Sequence, residues 1–377
     1  MANRRGSGEG SIYQRKDGRW CAAVSLGYKP GGKLHRKFLY GNTRVEASEA
    51  MKQVLRDQQL GMNITSERQT LAMFLTDWLV NTVKPKNKLQ THRSYEWIVR
   101  IHLIPSLGQL TLPKLTPQKL QAFINERHTS GLSAATVKHI NATLRAALSQ
   151  AHRWQLVHQN AAKLITLPRS VRYKPAILTA DQAKKLLSHL LGHRYEALFT
   201  IALTMGPRRG ELLGLRWRDI NLDKSSLKIR NQIQSVKGNG LRLVDLKTDK
   251  ATRDLRIPQI AQLALAKHAI AQTEQRKWAG SKWKDQDFVF TTSFGSPIHP
   301  DEISHVFPEI LEKAKLPRVR FHDLRHTCAS LLLSLGVPAK LVQETLGHST
   351  YQLTMDTYSH MIPALRNEVA EIGRAHV

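Results

Sequence analysis

Phe321-His-Asp-Leu-Arg-His326 is the stretch on which the reading of this chain turns. On a helix, His322, Arg325 and His326 fall at i, i+3 and i+4 and share one face. Two histidines one turn apart resemble half of a zinc site. Arg325 on the same face would repel a dication, whereas a phosphate wants that charge. Downstream, Leu346-Gly347-His348 ends a helix expected from near Pro338, and Gly347 suits a left-handed cap. Tyr358 follows, on a short helix expected over 350–360. Upstream, Gly206-Pro-Arg-Arg-Gly-Glu211 supplies a further guanidinium where a helix should begin, Pro207 being suited to a first turn. Glu211 lies three residues after Arg208 and can brace it on one face. Arg209 is the rival for the same role, and spacing does not separate the two. A planar fork of donors is what phosphate recognition favours. Two guanidiniums, two imidazoles and one phenol suit attack on a phosphodiester by a tyrosine. Lys247, in the polar turn Leu246-Lys-Thr-Asp-Lys250, could protonate the leaving alkoxide.

Composition says which phosphodiester. The chain has 377 residues and a formal net charge of +28, spread along its length. That excess exceeds what solubility needs and points to nucleic acid. No run of 18 apolar residues is present to span a membrane, and no lipidation motif or basic amphipathic helix suggests a membrane-surface role. Cys21 and Cys328 lie far apart, so no disulfide framework or cysteine zinc site is readable. The first residues lack an apolar signal core, so a cytoplasmic, nucleoid-associated protein is expected. Glu371 to Val377 is the string that a common sequencing-adapter sequence encodes. It is expected to be a non-native tail and is set aside from fold reasoning.

At about 100–200 residues per domain, two or three domains are expected. Residues 1–62 read as a small sheet and a helix: strands over 11–15, 20–26 and 33–40, turns at Lys16-Asp17-Gly18 and Pro30-Gly31-Gly32, then a helix over 44–60. Arg15, Lys16, Arg19, Arg36 and Lys37 are expected to be exposed on that sheet, which could lie in a DNA groove. Residues 67–167 read as four helices, over 70–83, 88–104, 116–129 and 133–154, with 105–115 as a connection. Their basic face, including Lys88, Arg93, Lys138 and Arg145, is expected to meet DNA. Pro168 to Pro175 reads as a basic linker. Residues 175–370 read as mostly helical, with strands over 226–233, 241–246 and 253–258. The expected class is therefore α+β multidomain: a three-stranded antiparallel sheet plus helix, a four-helix core-binding domain, and a mostly helical catalytic domain with a small sheet.

The combination Gly-x-Arg-x-x-Glu (206–211), His-x-x-Arg-His (322–326), Leu-Gly-His (346–348) and a tyrosine ten residues later resembles the tyrosine recombinases, the site-specific integrases of phages and integrative elements. The resemblance covers about residues 1–370 and is strongest from Leu178 onward. It implies Arg208 and Arg325 as the arginine pair on the phosphate and Tyr358 as nucleophile. It implies His322 and His348 as phosphate or proton-transfer ligands, Lys247 as the hairpin lysine with Lys250 as fallback, Glu211 as acidic support and His326 as a structural neighbour. Pro207 and Met205 depart from the family's usual aliphatic residue and threonine without removing a catalytic group. The implied activity is cutting and rejoining DNA through a 3′-phosphotyrosyl link, with no cofactor, by a homotetramer on core and arm-type sites. An excisionase or a host DNA-bending protein could assist. Rival readings are a type IB topoisomerase, against which the extra N-terminal sheet argues, and a non-catalytic DNA-binding protein, against which the complete residue set argues. A zinc hydrolase lacks a third ligand placed by spacing.

Overall fold

The computed structural model describes residues 10–28, 34–59, 69–170, 175–236, 238, 240–246 and 252–347. The chain divides at residues 172/173 into two compact units. None of the described helices is long and apolar enough to cross a membrane.

The first unit opens with β1 (Ser11–Gln14), β2 (Trp20–Tyr28) and β3 (Leu34–Gly41), paired antiparallel in the order β1-β2-β3, followed by α1 (Arg44–Gln59). The register pairs Val24 with Lys37 and Ser25 with Arg36. Neighbouring residues of β3 therefore face opposite sides. Arg36 shares its side with the exposed Phe38 and Tyr40, and both Arg15 and Arg19 lie over the Tyr40 ring. Lys37 is half-buried on the other side, so the expectation that Arg36 and Lys37 are both exposed is corrected for Lys37.

Four helices follow: α2 (Leu71–Trp78), α3 (Leu89–Ile98), α4 (Pro117–Thr129) and α5 (Ala134–Arg153). Thr70, Thr116 and Ser133 cap three of them, each accepting a hydrogen bond from the backbone N–H three residues on. Leu71, Phe74, Ile98, Leu120, Ile140 and Leu144 are buried at helical spacing and form one core. Two helices run further than the sequence suggests. After α2 and α3 come π-helical turns, Leu79–Val83 and Val99–Leu103, which lead into Lys84–Lys86 and Ile104–Leu107. Each continuation contains a proline, Pro85 or Pro105, that has no N–H and clashes with the carbonyl four residues back. Widening the turn, with Lys84 N–H donating to Leu79 O and Ile104 N–H to Val99 O, lets the helix pass it. The connection expected over 105–115 is thus helical in its first turn, and a 3₁₀ turn occupies Leu112–Lys114.

The second unit contains α6 (Ala180–His189), α7 (Glu196–Met205), α8 (Arg209–Leu213), β4 (Ile220–Asn221), β5 (Ser226–Ile229), β6 (Asn231–Val236), β7 (Gly240–Asp245), β8 (Arg253–Arg256), α9 (Gln259–Ala279), α10 (Pro300–Lys313), α11 (Asp323–Ser334) and α12 (Ala339–Leu346). The strands form two antiparallel sheets, β4-β5-β8 and β6-β7. The single strand expected over 226–233 is split at Arg230. β5 pairs with β8 as far as Ile229↔Arg253, and the next residues pair instead with β7, from Asn231↔Asp245.

The core of this unit fixes where the Phe321–His326 stretch sits. Phe199 of α7 stacks on Phe307 of α10 at 5.0 Å between ring centroids, and Phe321 lies 5.8 Å and 6.0 Å from the two rings. Such pairs add about 0.5–1.5 kcal/mol each beyond area burial. Leu324 belongs to the same core, and Cys328 is buried beside Gly206. Thr327 Oγ1 donates to Asp323 O and accepts from Leu178 N–H, tying α11 to the start of the unit.

Candidate active site

Helix α7 ends at Met205, and Gly206 turns the chain in the left-handed conformation (φ 61°, ψ 34°). A Cβ there would lie 2.5 Å from Leu346 Cδ2, so glycine is required by close approach as well as by φ. Pro207 follows and Arg208 becomes the N-cap of α8. The Arg208 backbone N–H donates to Glu211 Oε2 at 2.9 Å, and its Nη1 donates to Glu211 Oε1 at 2.7 Å. Nη2 donates to Gly347 O at 3.0 Å. Its side chain remains 39% exposed while that of Glu211 is 1% exposed, so the guanidinium is braced from below and open above. Arg209 points elsewhere: it donates to Ser304 Oγ on α10 and lies near Asp301. The two adjacent arginines therefore have different partners.

Arg325 enters the same neighbourhood from α11. It is 4% exposed, and its Nη1 donates to Gly206 O at 2.8 Å, two residues before Arg208. His322 stands at the N-terminal boundary of α11, and its ring meets His326 edge-to-face at 5.4 Å. Buried Asp323 accepts from Arg320 through its backbone N–H, Nε and Nη2 at 2.9–3.1 Å, which fixes the first turn of the helix. Burial, then His326 and Arg325, push the His322 pKa down to about 4. Its edge is exposed to water, which offsets part of the burial, and the ring is neutral at pH 7. His326 is lowered too, by burial and by Arg325 and Arg320, against the opposing pull of Asp323.

Beneath Arg208 lies a residue that sequence reasoning missed. Arg253, at the start of β8, donates from Nη2 to Glu211 Oε2 at 2.8 Å and from Nε to Thr345 O at 2.8 Å. Burial alone would raise the Glu211 carboxyl. The charge and hydrogen bond of Arg253, together with Arg208, outweigh it and hold the group below its ordinary 4.5. One signal in the sequence pointed to Arg253: strand alternation puts it on the face of Leu255 and Ile257, and an inward charge needs a partner.

Arg208, Glu211, His322, Arg325 and His326 are therefore placed on neighbouring elements of one unit. Lys247, Lys250, His348 and Tyr358 lie outside the described residues, as does the segment 371–377. In the first unit Arg15, Lys16, Arg19, Arg36, Lys88, Lys138 and Arg145 are exposed and Arg93 is half-buried. Lys138 Nζ donates to Ser170 Oγ at 2.8 Å.

Residues 176–364 match the model of the phage integrase family, and residues 70–127 match the phage integrase N-terminal SAM-like domain. A curated relative, a tyrosine recombinase XerC-like protein of Caldanaerobacter subterraneus subsp. tengcongensis, is 31% identical over 366 residues, covering 92% of this chain and 94% of the relative. This chain belongs to the phage integrase family. As a tyrosine recombinase of that family it is a site-specific DNA recombinase. Its fold is similar to that of the Tn1549 transposon integrase solved with a circular intermediate DNA, at a TM-score of 0.70 and 19% identity, over 81% of this chain and 99% of that one. It is also similar to lambda integrase solved as a tetramer on a Holliday junction, at a TM-score of 0.58 and 20% identity, over 94% of this chain and 96% of that one.

Proposed function

We propose that this integrase cuts and rejoins DNA with Tyr358 as nucleophile, integrating or excising a mobile element. The Tyr358 phenol gives its proton to a neutral histidine of the set, His322 or His348, as its oxygen attacks a backbone phosphorus. A 3′-phosphotyrosyl bond forms, the bond from phosphorus to the 5′ oxygen breaks, and the leaving 5′ oxygen takes a proton from Lys247. A 5′-hydroxyl from the partner duplex then attacks the phosphotyrosyl phosphorus and gives its proton to Lys247; the bond from phosphorus to the Tyr358 oxygen breaks, and the phenolate takes its proton back from the histidine. Bond energy is conserved in the covalent link, so the exchange needs no nucleotide.

Arg208 and Arg325, with His322 and His348, bind the non-bridging oxygens. Removing one such donor typically costs ~10²–10³ in rate. The observation that carries this reading is the bracing of Arg208: its head group is partly open, while its backbone N–H and side chain are held by one buried carboxylate. Preorganised donors of this kind do not have to reorganise when charge develops in the transition state.

The working assembly is a homotetramer on two DNA sites, because four strands must be cut in two pairs. Residues 67–167 and 175–370 hold the core site. Residues 1–62 hold arm-type sites through the sheet side that carries Arg15, Arg19 and Arg36, and an excisionase or host DNA-bending factor sets direction. The setting is the cytoplasm, at the nucleoid. The test is a suicide DNA nicked beside its crossover, taken from sequence flanking the gene. Wild type should form a covalent protein–DNA band at the 3′ side and Tyr358→Phe should not. Binding by both without an adduct from either would refute the catalytic reading and leave a DNA-binding protein. Monomeric relaxation of supercoils without site preference would favour the topoisomerase reading.

A further inference from the structure

Arg253 occupies a position that neither the family motifs nor the phosphate chemistry explains. Its side chain is 7% exposed, so it does not offer a face to DNA. It ties together two elements of the second unit that are distant in sequence. Its Nη2 donates to Glu211, the carboxylate that also accepts twice from Arg208. Its Nε donates to Thr345 O in the last turn of α12, where the carbonyl has no partner within the helix. Gly347, the left-handed cap of α12, lies so close that a Cβ there would be 2.8 Å from Arg253 Nη1. Arg208 closes the circuit by donating to Gly347 O.

We propose that Arg253 is a positioning residue that registers the end of α12 against the Arg208–Glu211 pair. The inference rests on the reading of Arg208 as a phosphate ligand. One guanidinium spans a carboxylate on α8 and a carbonyl on α12, so the spacing of the two helices is set by a planar, rigid fork. Lysine has a single ammonium on a flexible stem and does not reproduce that spacing. Displacing a catalytic group by ~1 Å costs ~10²-fold in rate.

The experiment compares wild type, Arg253→Lys and Arg253→Met on the nicked suicide DNA. It records DNA affinity, the single-turnover rate of adduct formation at saturating DNA, and the melting temperature. Rates are taken well below the melting temperature of each variant. The expected result is affinity within ~3-fold of wild type and a rate lower by ~10²-fold for Met, with Lys falling between the two. If the methionine variant does not fold, the lysine variant decides, since it keeps the charge beside Glu211. Wild-type rates in the variants, or a loss confined to DNA affinity, would overturn the positioning role. A rate defect that disappears on cooling below the melting transition would also overturn it, as a purely structural effect. Absence of a Tyr358-dependent adduct in wild type would remove the catalytic reading itself, and this inference with it.

Discussion

Glu211→Gln is the perturbation whose consequence the structure fixes most closely. The Glu211 carboxylate accepts at 2.7, 2.8 and 2.9 Å from two arginines and is almost fully buried. Glutamine keeps the shape and one acceptor oxygen but removes the charge and turns an NH₂ toward a guanidinium. Of the two ion pairs, that with Arg208 is 39% exposed on the arginine side and contributes at most about 1 kcal/mol. The pair with Arg253 is buried on both sides, and breaking it leaves an uncompensated guanidinium at a cost of about 3–5 kcal/mol. For a unit of about 200 residues that lowers Tm by roughly 6–20 °C. The pH dependence gives a second handle. The folded carboxyl titrates below its ordinary 4.5, so the stabilisation is fully present above 4.5 and is lost as pH falls through the folded value. Thermal melts followed by circular dichroism without DNA should show the full gap between wild type and Glu211→Gln near pH 7. The gap should close progressively below 4.5. Equal melting temperatures at neutral pH, or a gap of constant size into the acid range, would refute the reasoning.

The remaining predictions concern the same cluster. Arg208→Ala should lower the adduct rate by ~10²–10³, whereas Arg209→Ala, which loses contacts to Ser304 and Asp301, should leave it within ~10-fold of wild type; equal losses in single-turnover assays would undo the assignment. In DNA-free protein the His322 ring should titrate below its ordinary 6.5, toward 4, by NMR. Because that value lies below the ordinary 6.5, stability should fall as pH drops from 6.5 toward 4, and His322→Asn should lack that share of the loss; titration near 6.5 would contradict the crowding seen around the ring. Gly347→Ala combines a φ of 66° with a Cβ driven against Arg253, and should reduce adduct formation more than it reduces DNA binding; a fully active alanine variant would show that the close approach is not required.

Much of the site was legible because its parts are local. The three-residue spacing of Arg208 and Glu211, and the i, i+3, i+4 spacing of His322, Arg325 and His326, are consequences of one helical turn and need no tertiary knowledge. The tie from Arg253 to Glu211 spans 42 residues and joins a strand to a helix, so only an inward arginine on an apolar strand face hinted at it. Pro85 and Pro105 read as helix ends because a proline removes a hydrogen bond, yet the preceding π-helical turns absorb the mismatch and both helices continue. Alternation along the third strand puts Arg36 and Lys37 on opposite faces, but it does not say which face the rest of the domain covers, so both read as exposed and only Arg36 is. The break at Arg230 was hidden for a different reason: 226–233 has continuous strand character, and which partner each half takes is decided by β8 and β7, not by its own residues.

The central claim is that Tyr358 carries the DNA strand through the exchange. Trapping the adduct on suicide DNA, digesting it and mapping the modified peptide by mass spectrometry tests this directly. The account predicts a nucleotide 3′-phosphate on the peptide that contains Tyr358, absent from Tyr358→Phe. A 3′-phosphoryl group on any other residue, or a trapped species that persists in Tyr358→Phe, would contradict it.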